Sequence, residues 1–298
     1  MRRWCVWGAS VVTLGAVGCD GGEPAGRMVV GLTTDMAVGF ELTEVRVNAE
    51  VNGEAVIDDV YSYASGDLKL PGELVDLPMA IDSDVSVKVE GYGKAGELKT
   101  RRAAFTRVEV ETPLLLPLAL ESSCEGVFCG DGQTCLGGIC GDATIPNKGL
   151  LPYDSTWVDT APDACKNGQS GEPGVTIGKG QSSFAPLQEG EALPIEPGPQ
   201  GGHHMWLALQ VRGLRQQGTV LTLSGRYPDL NEDLQPVNSV VTLRKGAENG
   251  CEIYGIRFQV DHGLEVATLY NKVLVVQVKL VDPNQDSAEA QAVVTIAP

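Results

Sequence analysis

Val45-Arg46-Val47-Asn48-Ala49-Glu50-Val51, followed by Asn52-Gly53, decides the fold class. Apolar residues fall at every second position. That period places Val45, Val47, Ala49 and Val51 on one face of a strand and Arg46, Asn48 and Glu50 on the other. Asn-Gly tolerates positive φ at both central turn positions, so the strand is expected to fold back into a hairpin. The same alternation returns at Val85, Val87 and Val89, set against Ser86, Lys88 and Glu90. Met28–Thr33 and Leu98–Val110 also read as strands. Gly66-Asp67 and Pro71-Gly72 mark turns. No long helical pattern interrupts them. Residues 27–123 are therefore expected to form an antiparallel, immunoglobulin-like β-sandwich.

Further along, Leu207, Leu209 and Val211 alternate with Ala208, Gln210 and Arg212. Tyr254, Ile256, Phe258 and Val260 repeat the pattern. Leu274, Val276, Val278 and Leu280 run into Asp282-Pro283-Asn284-Gln285-Asp286, and Ala292, Val294 and Ile296 return as a closing hairpin. Residues 165–298 are expected to be a second antiparallel sandwich. The fold class is all-β, two sandwiches joined by a small disulfide-rich segment.

That segment is residues 124–140, with Cys124, Cys129, Cys135 and Cys140 amid glycine. The close C-x2-C pairs usual in structural zinc sites are missing, so disulfides in an oxidising compartment suit the spacing better. Four cysteines allow three connectivities, and spacing does not choose among them. The crossed pairing Cys124–Cys135 with Cys129–Cys140 is the working expectation, and the knot reads as a rigid spacer. A loop-like linker, 141–164, follows with Pro146, Pro152 and Pro162; its Trp157 is expected to pack against a domain surface. Cys165 and Cys251 are left to pair within the second sandwich, a closure that contributes about 4–5 kcal/mol in the chain-entropy model.

The chain start reads as an export signal over residues 1–18. Arg2 and Arg3 precede an apolar run, Trp4–Val17, too short to span a membrane as a helix. Leu14-Gly-Ala-Val-Gly-Cys19 resembles a bacterial lipobox, which implies lipidation of Cys19. Ala16 stands where that motif prefers leucine. Residues 19–26 would form a flexible tether. The resemblance implies a lipid-anchored protein of a Gram-negative cell envelope, at the outer membrane or cell surface. Asp20 resembles the inner-membrane retention mark of enteric bacteria, so the choice of membrane stays open.

The net charge is −17. Nucleic acid and anionic lipid surfaces are thereby disfavoured as partners, since both repel an acidic chain. An envelope protein or a glycan remains as partner, besides the membrane through the anchor.

Chemistry-bearing motifs are sparse. His203-His204-Met205 and His262 contain all three histidines. His-His-Met resembles one copper-site motif of type 2 copper monooxygenases, which implies one copper held by His203, His204 and His262. The departures are the missing His-x-His site and the absent following cysteine. Neighbouring strand residues also face opposite ways, so a shared metal needs a bulge, which Gly201 and Gly202 could permit. Asp229-Leu-Asn231-Glu-Asp233 begins like a calcium loop without its glycine and glutamate; a turn is the simpler reading. Gly178-Lys179-Gly180 is no phosphate loop, and Gly168-Gln-Ser-Gly171 is no nucleophile elbow.

The chain resembles the uncharacterised two-domain envelope lipoproteins of myxobacteria through the lipobox cysteine, the knot after Leu115-Leu-Pro-Leu-Ala-Leu120, and Gly198-Pro-Gln-Gly-Gly-His-His204. That resemblance carries no activity. The expected function is a non-catalytic, lipid-anchored envelope protein without cofactor, presenting its sandwiches for binding or a structural role. The alternative is a copper- or zinc-binding protein or metalloenzyme built on the three histidines.

Overall fold

A computed structural model describes residues 26–166, 172–198, 201–246 and 250–298. The expected signal, Cys19, the tether up to residue 25 and the Gly168–Gly171 run lie outside them.

Seven strands make the first sandwich: β1 (Gly26–Thr34), β2 (Glu44–Val51), β3 (Glu54–Ser62), β4 (Gly72–Met79), β5 (Ser83–Tyr92), β6 (Leu98–Val108) and β7 (Leu114–Leu120). Two short strands, β8 (Gln133–Leu136) and β9 (Ile139–Asp142), form a hairpin in the knot. Strand β10 (Leu151–Pro152) and one helical turn, α1 (Trp157–Thr160), complete this half. One sheet has the order β10-β7-β1-β4 and the other β3-β2-β5-β6. Val45, Val47 and Ala49 of β2 are buried between them, while Arg46 and Glu50 face water. Asn52 and Gly53 both adopt positive φ, +52° and +80°, as the β2–β3 hairpin requires. The sheets are antiparallel except that β1 runs parallel to β7, Met28 opposite Leu114 through Thr34 opposite Leu120.

β1 and β7 are apolar on both faces because both faces are covered. Their inner residues join the main core; Val29 and Leu115, on the outer side, meet Trp157 and Ala161. Gly31 lies directly beneath the indole. A Cβ there would fall 2.6 Å from the Trp157 ring, so only glycine admits it. The expectation that Trp157 packs on a domain surface is met, on the first sandwich.

The disulfides are Cys124–Cys135, Cys129–Cys140 and Cys165–Cys251. The knot does not stand between the sandwiches as a spacer, which corrects the sequence reading. It folds back along β6. Thr134 Oγ1 accepts from Ala103 N at 2.8 Å, Cys135 O accepts from Arg102 Nη1 at 2.6 Å, and Lys99 O accepts from Gly126 N at 2.8 Å. The chain then continues beside the strand, with Phe105 N donating to Ala143 O and Ile145 N to Phe105 O, at 2.9 and 2.7 Å. A module too small for its own core thus gains a partner, and an exposed sheet edge is covered. Residues 27–123, 124–140 and most of 141–164 pack as one unit.

The second sandwich begins at Cys165. Its strands are β11 (Gly174–Lys179), β12 (Ala185–Pro186), β13 (Glu191–Pro194), β14 (Glu196–Pro197), β15 (His203–Arg212), β16 (Gln217–Tyr227), β17 (Glu232–Thr242), β18 (Arg244–Lys245), β19 (Cys251–Gln259), β20 (Val273–Val281) and β21 (Ser287–Ala297). The sheets are β12-β11-β15-β19-β18, with β14 also on β15, and β13-β21-β20-β16-β17. Strand β13 runs parallel to β21; the other pairs are antiparallel. Met205, Leu207, Leu209 and Val211 pack against Leu221, Leu223, Val276 and Val278, with the Cys165–Cys251 bridge inside the same core. Both halves are immunoglobulin-like in the broad sense of two packed sheets, each with its own strand order.

The halves are bonded to one another. The Gln216 amide donates to Asp35 O and Met36 O at 3.3 and 3.2 Å. Lys245 pairs with Asp35 at 3.3 Å, and Gln217 Oε1 accepts from Leu70 N at 3.3 Å. The Arg244 guanidinium lies between the rings of Phe40, at 4.3 Å, and Tyr254, at 4.6 Å. Arg215, itself buried, donates to Val158 O and Asp159 O at the end of α1, at 2.9 and 3.0 Å. Beside it, the buried Asp163 carboxylate accepts from Cys165 N and Gln216 N.

Candidate functional site

Odd positions of β15, from Met205 to Val211, face the core, so His204, Trp206, Ala208 and Gln210 face outward. His203 therefore turns away from His204. Its ring Nδ1 lies 3.1 Å from Asp261 Oδ2, and its backbone N donates to the same oxygen at 2.8 Å. Burial alone would raise the Asp261 carboxyl. Hydrogen bonds from the Gln259 amide and from His203 outweigh that and hold it below the ordinary carboxylate value.

His204 is buried, with Gly198 close to its ring. It meets Trp206 edge-on at 4.9 Å, and its Nε2 has no hydrogen-bond partner among the described residues. His262 is exposed, at φ +34°, in the turn after Asp261. Among the described residues no group of three or more His, Cys, Asp or Glu side chains is placed to hold a metal. The expected His203, His204, His262 ligand set does not converge. Strand geometry is the reason: Gly201 and Gly202 do adopt positive φ, but they turn the chain before β15 instead of bulging it. Asp261, the residue that orients His203, gave no signal in the sequence. It is one acid among many until β15 and β19 are laid side by side.

The Asp229–Asp233 motif settles as a turn. Asn231 has φ +56° between β16 and β17, and Arg226 bridges to Asn231 Oδ1 and Asp233 Oδ1 at 2.7 and 2.6 Å. The carboxylate of Asp233 is thus spent on arginine, not gathered around a cation. Lys179, in Gly178-Lys179-Gly180, pairs with Glu191.

A broad cleft lies on the first sandwich. It is a groove of about 810 Å³ between the outer face of β5 and β6 and the linker that follows the knot. Phe105 and Ile145 supply apolar surface; Glu50, Asp84, Arg107, Glu109 and Lys148 supply charge along its sides. Phe105 is held in place from both flanks. Its own backbone bonds to Ala143 and Ile145, and Ser86 faces it across the sheet. The far wall is fixed by Asn147 Nδ2 donating to Glu109 Oε2 at 3.2 Å. Phe105 is 38% exposed, a large aromatic left open at the base of a concave surface. Alternation along Leu98–Val110 marks Phe105 as outward-facing, but nothing local to it reveals the linker wall.

No family model matches this chain, and no curated protein matches it. Solved structures give distant likenesses. An immunoglobulin-like protein from Pseudomonas aeruginosa is 15% identical with a TM-score of 0.23, over 42% of this chain and 93% of that one. A tetra-tandem repeat from the extending region of a large adhesion protein is 11% identical with a TM-score of 0.24, over 91% of this chain and 49% of that one. A bacterial ice-binding adhesin of 1.5 MDa is 9% identical with a TM-score of 0.23, over 91% of this chain and 64% of that one. At these scores the likenesses carry nothing about activity.

Proposed function

We propose that this chain is a non-catalytic, lipid-anchored protein of the cell envelope, and that its first sandwich binds a protein or glycan partner in the groove at Phe105. The observation that carries the reading is the linker groove itself. Residues 144–148 are bonded to the sheet, not strung between domains, and with β5 and β6 they wall a groove in which Phe105 is exposed. Its open aromatic surface, flanked by carboxylates and cations, suits a partner offering an apolar face and hydrogen-bonding groups. The lipobox-like Cys19 and the polar tether ahead of β1 support placement at a membrane surface, in keeping with the resemblance to myxobacterial envelope lipoproteins. Three disulfides support an oxidising compartment.

The test is retention on isolated envelope fractions, separated into protein and polysaccharide. The chain from residue 20 onward, free of the anchor, is expected to be retained by one fraction. Phe105→Ala with Lys148→Ala should weaken retention by about tenfold or more, the loss of one good anchor residue. Equal retention of parent and variant, or none by either, would refute the groove as the binding site.

A further inference from the structure

Among the described residues, strand β17 is the outermost strand of its sheet and pairs only with β16. Gln235 to Val240 are all exposed. Val240 is 73% exposed and Val237 46%, and Val220, opposite Val240 on β16, is 39% exposed. Edge strands present unpaired N–H and C=O groups, and proteins commonly guard them with charge, proline, bulges or short length. The other edges here follow that practice. Strand β3 carries Glu54, Asp58 and Asp59, with Asp59 on the core-facing side between Ile57 and Tyr61. Strand β4 carries Glu73, Asp76 and Pro78. Strand β6 is covered by the knot, and β10, β12 and β18 have two residues each. Strand β19, beyond β18, carries Arg257 and an irregular register at Gly255. Strand β17 has no charged side chain from Leu234 to Thr242, and its guards, Pro236 and the register irregularity between Leu234 and Val237, sit together near its start. That leaves Val237–Thr242, a full strand length, open.

We infer that this edge pairs with the same edge of a second copy, antiparallel about a twofold axis at Ser239. Self-pairing is favoured by what would meet. Val237 and Val241 share the core-facing side, opposite Leu223 and Thr219. The twofold sets Val237 of one copy against Val241 of the other, and Val240 against Asn238, so the exposed valines are covered and no like charges face each other. The charge distribution favours the same end of the molecule. Residues 27–164 hold 10 Lys and Arg against 23 Asp and Glu, a net of −13; residues 165–298 hold 10 against 14, a net of −4. Two copies meeting through the second sandwich keep their strongly acidic halves apart.

Sedimentation velocity of the chain from residue 20 onward, which holds every described element, tests this. The expected result is a monomer–dimer equilibrium below about 200 µM. Val240→Lys should move its midpoint up by about tenfold or more, while Val60→Lys on the β3 edge leaves it in place. Ser239→Cys should give a covalent dimer on mild oxidation, since facing Cα atoms lie about 4.5–5.5 Å apart in an antiparallel pair, within disulfide reach. Thermal melts matched to the parent separate lost pairing from lost folding. A monomer throughout, a dimer indifferent to Val240→Lys, or a parent dimer that Ser239→Cys fails to lock would overturn the inference.

Discussion

Asp261 holds the entry to β15, and its chemistry makes it a pH-sensitive point. Its carboxyl titrates below the ordinary value, so its contribution to stability is full above about pH 4, the unfolded value, and is lost as pH falls through the lower folded one. Asp261→Asn should therefore lower the melting temperature at pH 7 and flatten its fall on acidification. Melts followed by tryptophan fluorescence from about pH 7 to pH 2.5 would show this; parallel curves for both proteins would contradict it. The histidines make a second prediction. Because His203 faces Asp261 and His204 lies on the other side of the strand, Zn(II) or Cu(II) should show no tight, stoichiometric uptake. One tight equivalent lost on His203→Ala would contradict the assignment. At this scale the histidines were legible as residues, but not which face of the strand each one takes. Adjacent histidines look like a ligand pair in a string of letters, whereas a strand sends them to opposite faces.

Among elements, the covered strands teach most. Alternation at Val45–Val51 announced a half-buried strand, and β2 is one. The Leu114–Leu120 run is apolar at consecutive positions because the core lies on one side and Trp157 reaches its other side at Leu115. Nothing in the run tells which element supplies the second cover. Gly31→Val should show the dependence, since its Cβ would enter the indole. We expect a loss of about 1–3 kcal/mol in chemical denaturation, with Trp157 emission shifted towards that of a solvent-exposed indole. An unchanged spectrum would mean the ring does not sit on Gly31. The β16–β17 hairpin was not legible as a pair. Its strands carry Gly218, Gly225 and Pro236, two register irregularities, and outward residues too apolar to alternate cleanly. The closing β20–β21 hairpin was legible because its polar turn separates two clean period-two runs.

For the molecule as a whole, the joint between the halves governs how the groove and the free edge are presented. Two all-β units could be anticipated from turn spacing and strand pattern. Their coupling could not, because it depends on single side chains far apart in sequence. Arg215 is the clearest case, a buried guanidinium spent on two backbone carbonyls at the end of α1. Arg215→Ala leaves both acceptors unpaired and should cost about 2–3 kcal/mol. It should also broaden the distance distribution between spin labels at Lys94 and Lys272, read by pulsed dipolar spectroscopy. A distribution as narrow as the parent's would show that Gln216, Lys245 and Arg244 suffice to hold the joint.

The central claim is that the groove at Phe105 meets a partner in the envelope. The most direct measurement places a photo-crosslinking amino acid at Phe105 in the full chain in living cells, with Lys94, exposed in the turn that follows β5, as the control position. One discrete adduct from position 105 and none from 94 is the predicted result. No adduct from 105, or the same products from both positions, would contradict it.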